Sequence, residues 1–205
     1  MKRWTLAGLL VVATLGTTAM AVETPPYKAV LRDGNFELRD YPALAVAEVT
    51  VEGDQKEAAS KGFRLLAGYI FGANKRRRSI AMTAPVAQQA ASEKIAMTAP
   101  VEQMQGASGT WVVRFTMPGA WTLQTLPIPN DPKVTLRATE PSRLAVLRFS
   151  GLARPEDVQS NTRELLAQVT SHGLHAIGPV SLAQYNPPWT LWFMRRNEVM
   201  VEVEH

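Results

Sequence analysis

Ala45-Val46-Ala47-Glu48-Val49-Thr50-Val51, followed almost at once by the stretch from Gln55 to Phe71, is the passage on which the fold is read. The first seven residues alternate imperfectly but like a strand. The second stretch places Ala59, Phe63, Leu66 and Ile70 at spacings of four, three and four, which is one face of a helix, while Lys56, Glu57, Lys61 and Arg64 can meet water. Gly72 offers the exit. Gly62 and Gly68 break the helical preference, so each either weakens the helix or permits a close approach. Upstream, Phe36-Glu37-Leu38-Arg39 gives a short strand and Asp40-Tyr41-Pro42 a turn.

The same order returns later in the chain. Val134-Thr135-Leu136-Arg137 matches the short strand, and Leu144 to Phe149 the long one. Arg154-Pro155-Glu156-Asp157 opens a second helix, with proline in its first turn and acids at its positive end. Val158, Thr162, Leu165 and Val169 repeat the four, three, four spacing, and Gly173 ends it. A charge at Phe63 or Leu165 is therefore expected to cost several kcal/mol, about 3. Between the units lie a strand, Thr110 to Thr116, and a proline-rich joint, Leu126 to Pro132, that can be neither inner strand nor helix. At the C-terminal end, Leu191 to Arg195 and Val199 to Val203 read as a hairpin around Asn197-Glu198. The expectation is an α+β fold in which two helices cover a curved antiparallel sheet or distorted barrel.

The chain begins like an exported protein. Lys2 and Arg3 precede an apolar run from Leu6 to Leu15, and Ala19-Met20-Ala21 supplies a small-x-small cleavage pattern. Residues 1–21 then form a signal peptide and residues 22–205 a single domain in the periplasm or outside the cell, with no transmembrane segment after cleavage. The run is short against the roughly 20 residues that span a bilayer. No cysteine occurs in the 205 residues, so disulfides do not staple the core. Removing Lys2 and Arg3 takes the basic count from 22 to 20 against 18 acids, a formal +2 that does not argue for nucleic acid.

Little in the sequence points to catalysis. There is no thiol and no Gly-x-Ser-x-Gly setting. No phosphate-binding glycine loop is present. His172 and His175 sit near a helix end and read first as termination or surface polarity, and only second as metal or heme ligands. Acids such as Glu37, Asp40 and Glu48 fit strand edges and turns. What remains is apolar surface with selected polar groups: methionines, aromatic rings and the basic cluster Lys75-Arg76-Arg77-Arg78, whose arginines suit carboxylates.

One phrase stands apart. Ile80-Ala81-Met82-Thr83-Ala84-Pro85-Val86 recurs fifteen residues later as Ile95-Ala96-Met97-Thr98-Ala99-Pro100-Val101. Both copies lie between the first helix and Trp111, so they mark neighbouring strand-to-turn elements and not the large internal duplication. With Ala67-Gly68-Tyr69-Ile70-Phe71-Gly72, Val113-Arg114-Phe115-Thr116-Met117-Pro118, Pro127 to Val134, Asn186-Pro187-Pro188-Trp189 and Arg195-Arg196-Asn197-Glu198-Val199, it resembles the SOUL heme-binding family, as an exported bacterial-type member, from Tyr27 to Val203. The resemblance implies a distorted antiparallel β-barrel from two pseudo-repeated units flanked by two long helices. It also implies noncovalent binding of heme or another porphyrin, for buffering or transport, with no enzymatic activity. Histidine ligation is not uniform in such proteins, and the first helical unit here has no histidine. Joined to helix position and side-chain chemistry, the resemblance suggests Phe63, Ala67, Ile70 and Phe71 as apolar surface. Met82 or Met97 would meet the ring edge, and Arg76 and Arg78 the propionates. A non-heme small-ligand or protein-binding module on the same fold, and more remotely a cavity enzyme using Tyr and Glu side chains, remain as alternatives.

Overall fold

The computed structural model describes residues 24–76, 92–97, 100–107, 109–187 and 189–204. In chain order, the first unit contributes β1 (Lys28–Asp33), β2 (Phe36–Tyr41), β3 (Ala45–Glu52), α1 (Gln55–Ile70), β4 (Asn74–Lys75), β5 (Val101–Gln105) and β6 (Thr110–Thr116). The second contributes β7 (Ile128–Pro129), β8 (Thr135–Ala138), β9 (Ser142–Ser150), α2 (Pro155–Ser171), β10 (Ala176–Gln184) and β11 (Arg196–Val203). Nine strands form one antiparallel sheet in the order β1-β2-β9-β11-β10-β5-β6-β3-β8, and β4 and β7 pair separately. No helix among the described residues is long and apolar enough to cross a membrane.

The barrel expectation is wrong. A barrel has no edges, because its first and last strands pair with each other. Among the described residues β1 pairs only with β2, and β8 only with β3, so the sheet stays open. The two-unit plan is nevertheless present, and in interleaved form. The short leading strand of each unit pairs with the long strand of the other: β2 with β9, and β8 with β3. The β5–β10 pairing joins the two halves at the centre.

Residues directly opposite in paired strands share a face. One such row runs Phe36, Leu147, Val199, Leu182, Gln103, Val113 and Val49 across seven strands. Both helices cover this face. Leu66, Tyr69 and Ile70 of α1 pack into a core with Ala47, Val49, Val113 and Phe115, while Leu165 and Val169 of α2 join Phe36, Leu38, Leu147 and Val199.

Each helix is set by local chemistry. Asp54 caps α1, its Oδ1 accepting from the Glu57 backbone N–H at 2.8 Å. At the start of α2 the Asp157 carboxylate accepts from the Arg154 backbone N–H at 3.3 Å. The stripe of α2 lies as its spacing indicates, with Leu165 fully buried. That of α1 is turned by about one residue: Ala58, Gly62, Leu66 and Tyr69 face the sheet, and Phe63 is 39% exposed. Gly62 is the reason, since only a residue without a side chain fits against Val113. The core assignment of Phe63 is therefore corrected, and that of Leu165 stands.

The C-terminal hairpin is also different from expectation. Leu191 to Arg195 is not a strand; Trp192–Met194 forms a 3-10 turn and Leu191 through Met194 are exposed. The partner of β11 is β10, with Leu182 opposite Val199. His172 caps the end of α2, its ring stacked on Phe36 at 4.8 Å, and Gly173 takes the positive φ of +68°.

Candidate functional site

The end of α1 is tied to the segment Ser92–Met97 by a small hydrogen-bond bracket. The buried Asn74 amide donates to Tyr69 O at 2.7 Å and Glu93 O at 2.8 Å, and its Oδ1 accepts from Glu93 N at 2.9 Å. Ile95 N donates to Ile70 O at 2.8 Å, and Ile95 is itself buried in the core under α1. Tyr69 completes the anchor, its hydroxyl donating to Pro127 O at 2.9 Å. The second copy of the repeated phrase is thus partly wall: Ile95 and Pro100 are buried, and Met97 is 37% exposed.

The proposed ligand residues separate into three groups. Phe63, Phe71 and Met97 are exposed, at 39%, 58% and 37%. Phe63 leans edge-on against Phe115, ring centroids 5.5 Å apart, so its position is fixed from below. Arg76, also exposed, makes one ion pair through Nε to Glu93 at 3.3 Å. Ala67 and Ile70, by contrast, are buried at 9% and 1%, and they support the surface instead of forming it. Arg78 and Met82 lie outside the described residues. Phe71 stands at the C-cap of α1 and Arg76 five residues on, whereas Phe63 sits mid-helix; exposed apolar side chains and a cation are the groups that a flat apolar ring carrying an acidic group can use.

The helix-free face of the sheet carries a second constellation that the sequence reading did not assemble. Its register row is Glu48, Arg114, Glu102, Ala183 and Glu198. Glu198 is fully buried and accepts from Arg39 twice, at 2.8 and 3.0 Å, from Tyr185 Oη at 2.6 Å and from Arg196 at 2.6 and 3.0 Å. Burial works to raise its pKa, yet these donors hold it below the ordinary carboxylate range. Burial pushes the Tyr41 hydroxyl up to about 12, and burial with the Glu198 charge raises Tyr185 further.

At the other end of the row, Glu48 accepts from Arg137 Nε at 2.8 Å and Arg114 Nε at 3.1 Å. These two arginines overcome its burial and lower its pKa. Glu102 behaves oppositely: burial outweighs Arg114 and Arg137 and raises it. Tyr41 and Tyr185 from the first group and Glu102, Arg114 and Arg137 from the second line one cavity of about 260 Å³. A sequence signal existed only in part: Glu48 stood out as a strand acid and Arg114 sat on a strand read without its partners, whereas the strand that carries Glu102 was not read at all.

The comparisons agree with the fold and name the family. A profile of the SOUL heme-binding protein family matches residues 22–202, and the chain belongs to that family. Human heme-binding protein 2 is 41% identical over 73 residues, which is 33% of this chain and 36% of that protein. The match therefore spans about a third of the curated relative's length. Among solved structures, a hydrolase from Listeria innocua superposes with a TM-score of 0.56 at 11% identity, covering 85% of this chain and 94% of that one. The C-terminal domain of EcmrR gives 0.55 at 12%, covering 87% and 98%. At such identities these two show a shared fold alone. Membership in a heme-binding family agrees with noncovalent tetrapyrrole binding and with a binding protein instead of an enzyme. Without cysteine, thioether attachment of a heme is excluded.

Proposed function

We propose that the protein binds heme or a related tetrapyrrole noncovalently at the end of α1, and does so in the cell envelope for buffering or transport. The observation that supports the site is the exposure of Phe71 at the C-cap of α1 and of Arg76 and Met97 on the two segments that Asn74 brackets together there, with Phe63 exposed further back on the same helix. A macrocycle laid there covers apolar side chains, and one propionate can take the guanidinium from Glu93. The envelope location rests on the Lys2-Arg3 start, the apolar run and Ala19-Met20-Ala21. Nucleic acid is no part of this reading, because a formal charge of +4 over 205 residues supplies little phosphate attraction.

Titration with hemin and with metal-free protoporphyrin, followed by absorbance and tryptophan quenching, tests the binding. Saturable uptake of both at similar affinity is expected, since the sequence from Phe63 to Met97 contains no histidine. Failure of both to saturate overturns the reading. A strong preference for hemin would instead require an iron ligand and overturn the assigned residues. Intact mass of the protein from an envelope fraction tests the leader: a chain beginning at Val22 is expected, and an unprocessed cytosolic chain contradicts it.

A further inference from the structure

The cavity on the helix-free face is not explained by tetrapyrrole binding. Its volume of about 260 Å³ falls just below the range of roughly 300–1,000 Å³ seen for pockets that take drug-sized ligands, so it suits something smaller than a macrocycle. It also lies across the sheet from α1. Leu44, Val46, Met104, Leu144 and Met200 give it apolar walls.

Its polar groups are unequally satisfied. Both arginines that reach the cavity are held by Glu48: Arg137 through Nε at 2.8 Å, Arg114 through Nε and Nη2 at 3.1 Å each. Glu102 is the exception. Among the described residues its one polar side-chain partner is Arg114 Nη1 at 3.6 Å, beyond hydrogen-bond distance, and its side chain retains 17% exposure at the cavity wall. A carboxylate this enclosed ordinarily accepts two or more hydrogen bonds. Glu140 and Glu202 also line the cavity, adding negative charge that neither arginine offsets. An anionic ligand would meet three carboxylates, and a purely apolar one would leave Glu102 desolvated without a donor.

We propose that this cavity is a second ligand site, taking a small organic cation with N–H donors on a compact apolar body, such as an amidinium or primary ammonium, with Glu102 as its acceptor. The proposal does not rest on the tetrapyrrole reading. The apolar body lies between Met104, Met200 and Leu144 on the sheet, and the charged end reaches the free side of the Glu102 carboxylate. Specificity comes from two sources: the volume limits the ligand, and Glu48 keeps both arginines from competing for an anion.

Benzamidine is the probe, with neutral benzamide and anionic benzoate as controls, in calorimetric titrations of the full chain at neutral pH. Saturable binding of benzamidine and none of benzoate is expected. Glu102→Gln should weaken benzamidine by about tenfold or more, the loss of one charge-assisted hydrogen bond pair. Met104→Trp, which fills the cavity with an indole, should abolish binding, and thermal unfolding of both variants establishes that they are folded. Should Glu102→Gln fail to fold, Met104→Trp alone decides. Saturation with hemin should leave benzamidine affinity unchanged. No saturable benzamidine binding overturns the proposal, as does undiminished binding by the folded variants or tighter binding of benzoate.

Discussion

A methyl group placed on Gly62 of α1 would stand 2.5 Å from Val113 Cγ2 of β6, so the helix and the sheet meet at the distance that a missing side chain allows. Helix propensity alone makes Gly62→Ala stabilising by about 1 kcal/mol. The contact reverses the sign: overpacking should destabilise the protein by about 1–3 kcal/mol. Gly68 is the internal control. A Cβ there meets only Ala73 Cβ at 4.0 Å, an ordinary contact, so Gly68→Ala should gain about 0.5–1 kcal/mol. Urea unfolding of the two variants gives shifts of opposite sign.

The buried pair of Arg39 and Glu198 should dominate acid sensitivity. Glu198 has a folded pKa below its unfolded value, so its contribution is complete above the ordinary carboxylate range of about 4.3. It is lost as pH falls through the lower folded value. Glu198→Ala leaves the buried Arg39 with Glu37, at 2.6 Å from its Nε, as its remaining carboxylate partner among the described residues, and should still cost about 3 kcal/mol at neutral pH. Thermal melts of wild type and Glu198→Gln between pH 7 and about pH 3 should converge as the pH falls. Parallel melts would place the acid sensitivity elsewhere.

Glu102 should respond with the opposite sign. Its folded pKa is raised, so its protonated form favours the fold below the unfolded value, and that contribution disappears as pH rises through the folded value. Arg114 on β6, Arg137 on β8, Glu48 on β3, Glu140 between β8 and β9, and Glu202 on β11 are the charged groups that share its cavity or its field. At neutral pH, Glu102→Gln should therefore melt at or above the wild-type temperature. A markedly lower melting temperature contradicts the assignment of an under-satisfied carboxylate.

Phe71 and Ile70 are neighbours with different duties. Phe71 is 58% exposed, and Phe71→Ala should change stability by less than about 0.5 kcal/mol while weakening porphyrin uptake. Ile70 is 1% exposed, and Ile70→Ala should cost about 2–5 kcal/mol. Paired denaturation and porphyrin titration separate the two effects.

How much of this was legible in the sequence depends on what each segment buries. The α2 stripe was readable because Val158, Leu165 and Val169 all enter the core through apolar side chains. The α1 stripe was misphased because Gly62 contributes contact without hydrophobicity. The β10 strand escaped notice: Gly178 and Pro179 interrupt it, and its residues are exposed up to Pro179. The apolar run Leu191 to Met194 misled in the other direction, since those side chains are exposed. The exposed junction at Phe71 and Arg76 was reachable from helix position and composition. Glu48, Glu102, Arg114 and Arg137 belong to four strands, and only the pairing register brings them to one face.

An open sheet has two free borders, and each invites a strand from another molecule. Here both are poor templates. The β1 border is bent by an irregularity between Ala29 and Leu31 and carries Lys28, Arg32 and Asp33, while β8 is only four residues long and includes Arg137. A bent, charged margin and a truncated one discourage edge-to-edge growth. The molecule can thus leave its sheet unclosed, with a face open on each side to the ligands proposed above, and still resist polymerising with its own copies.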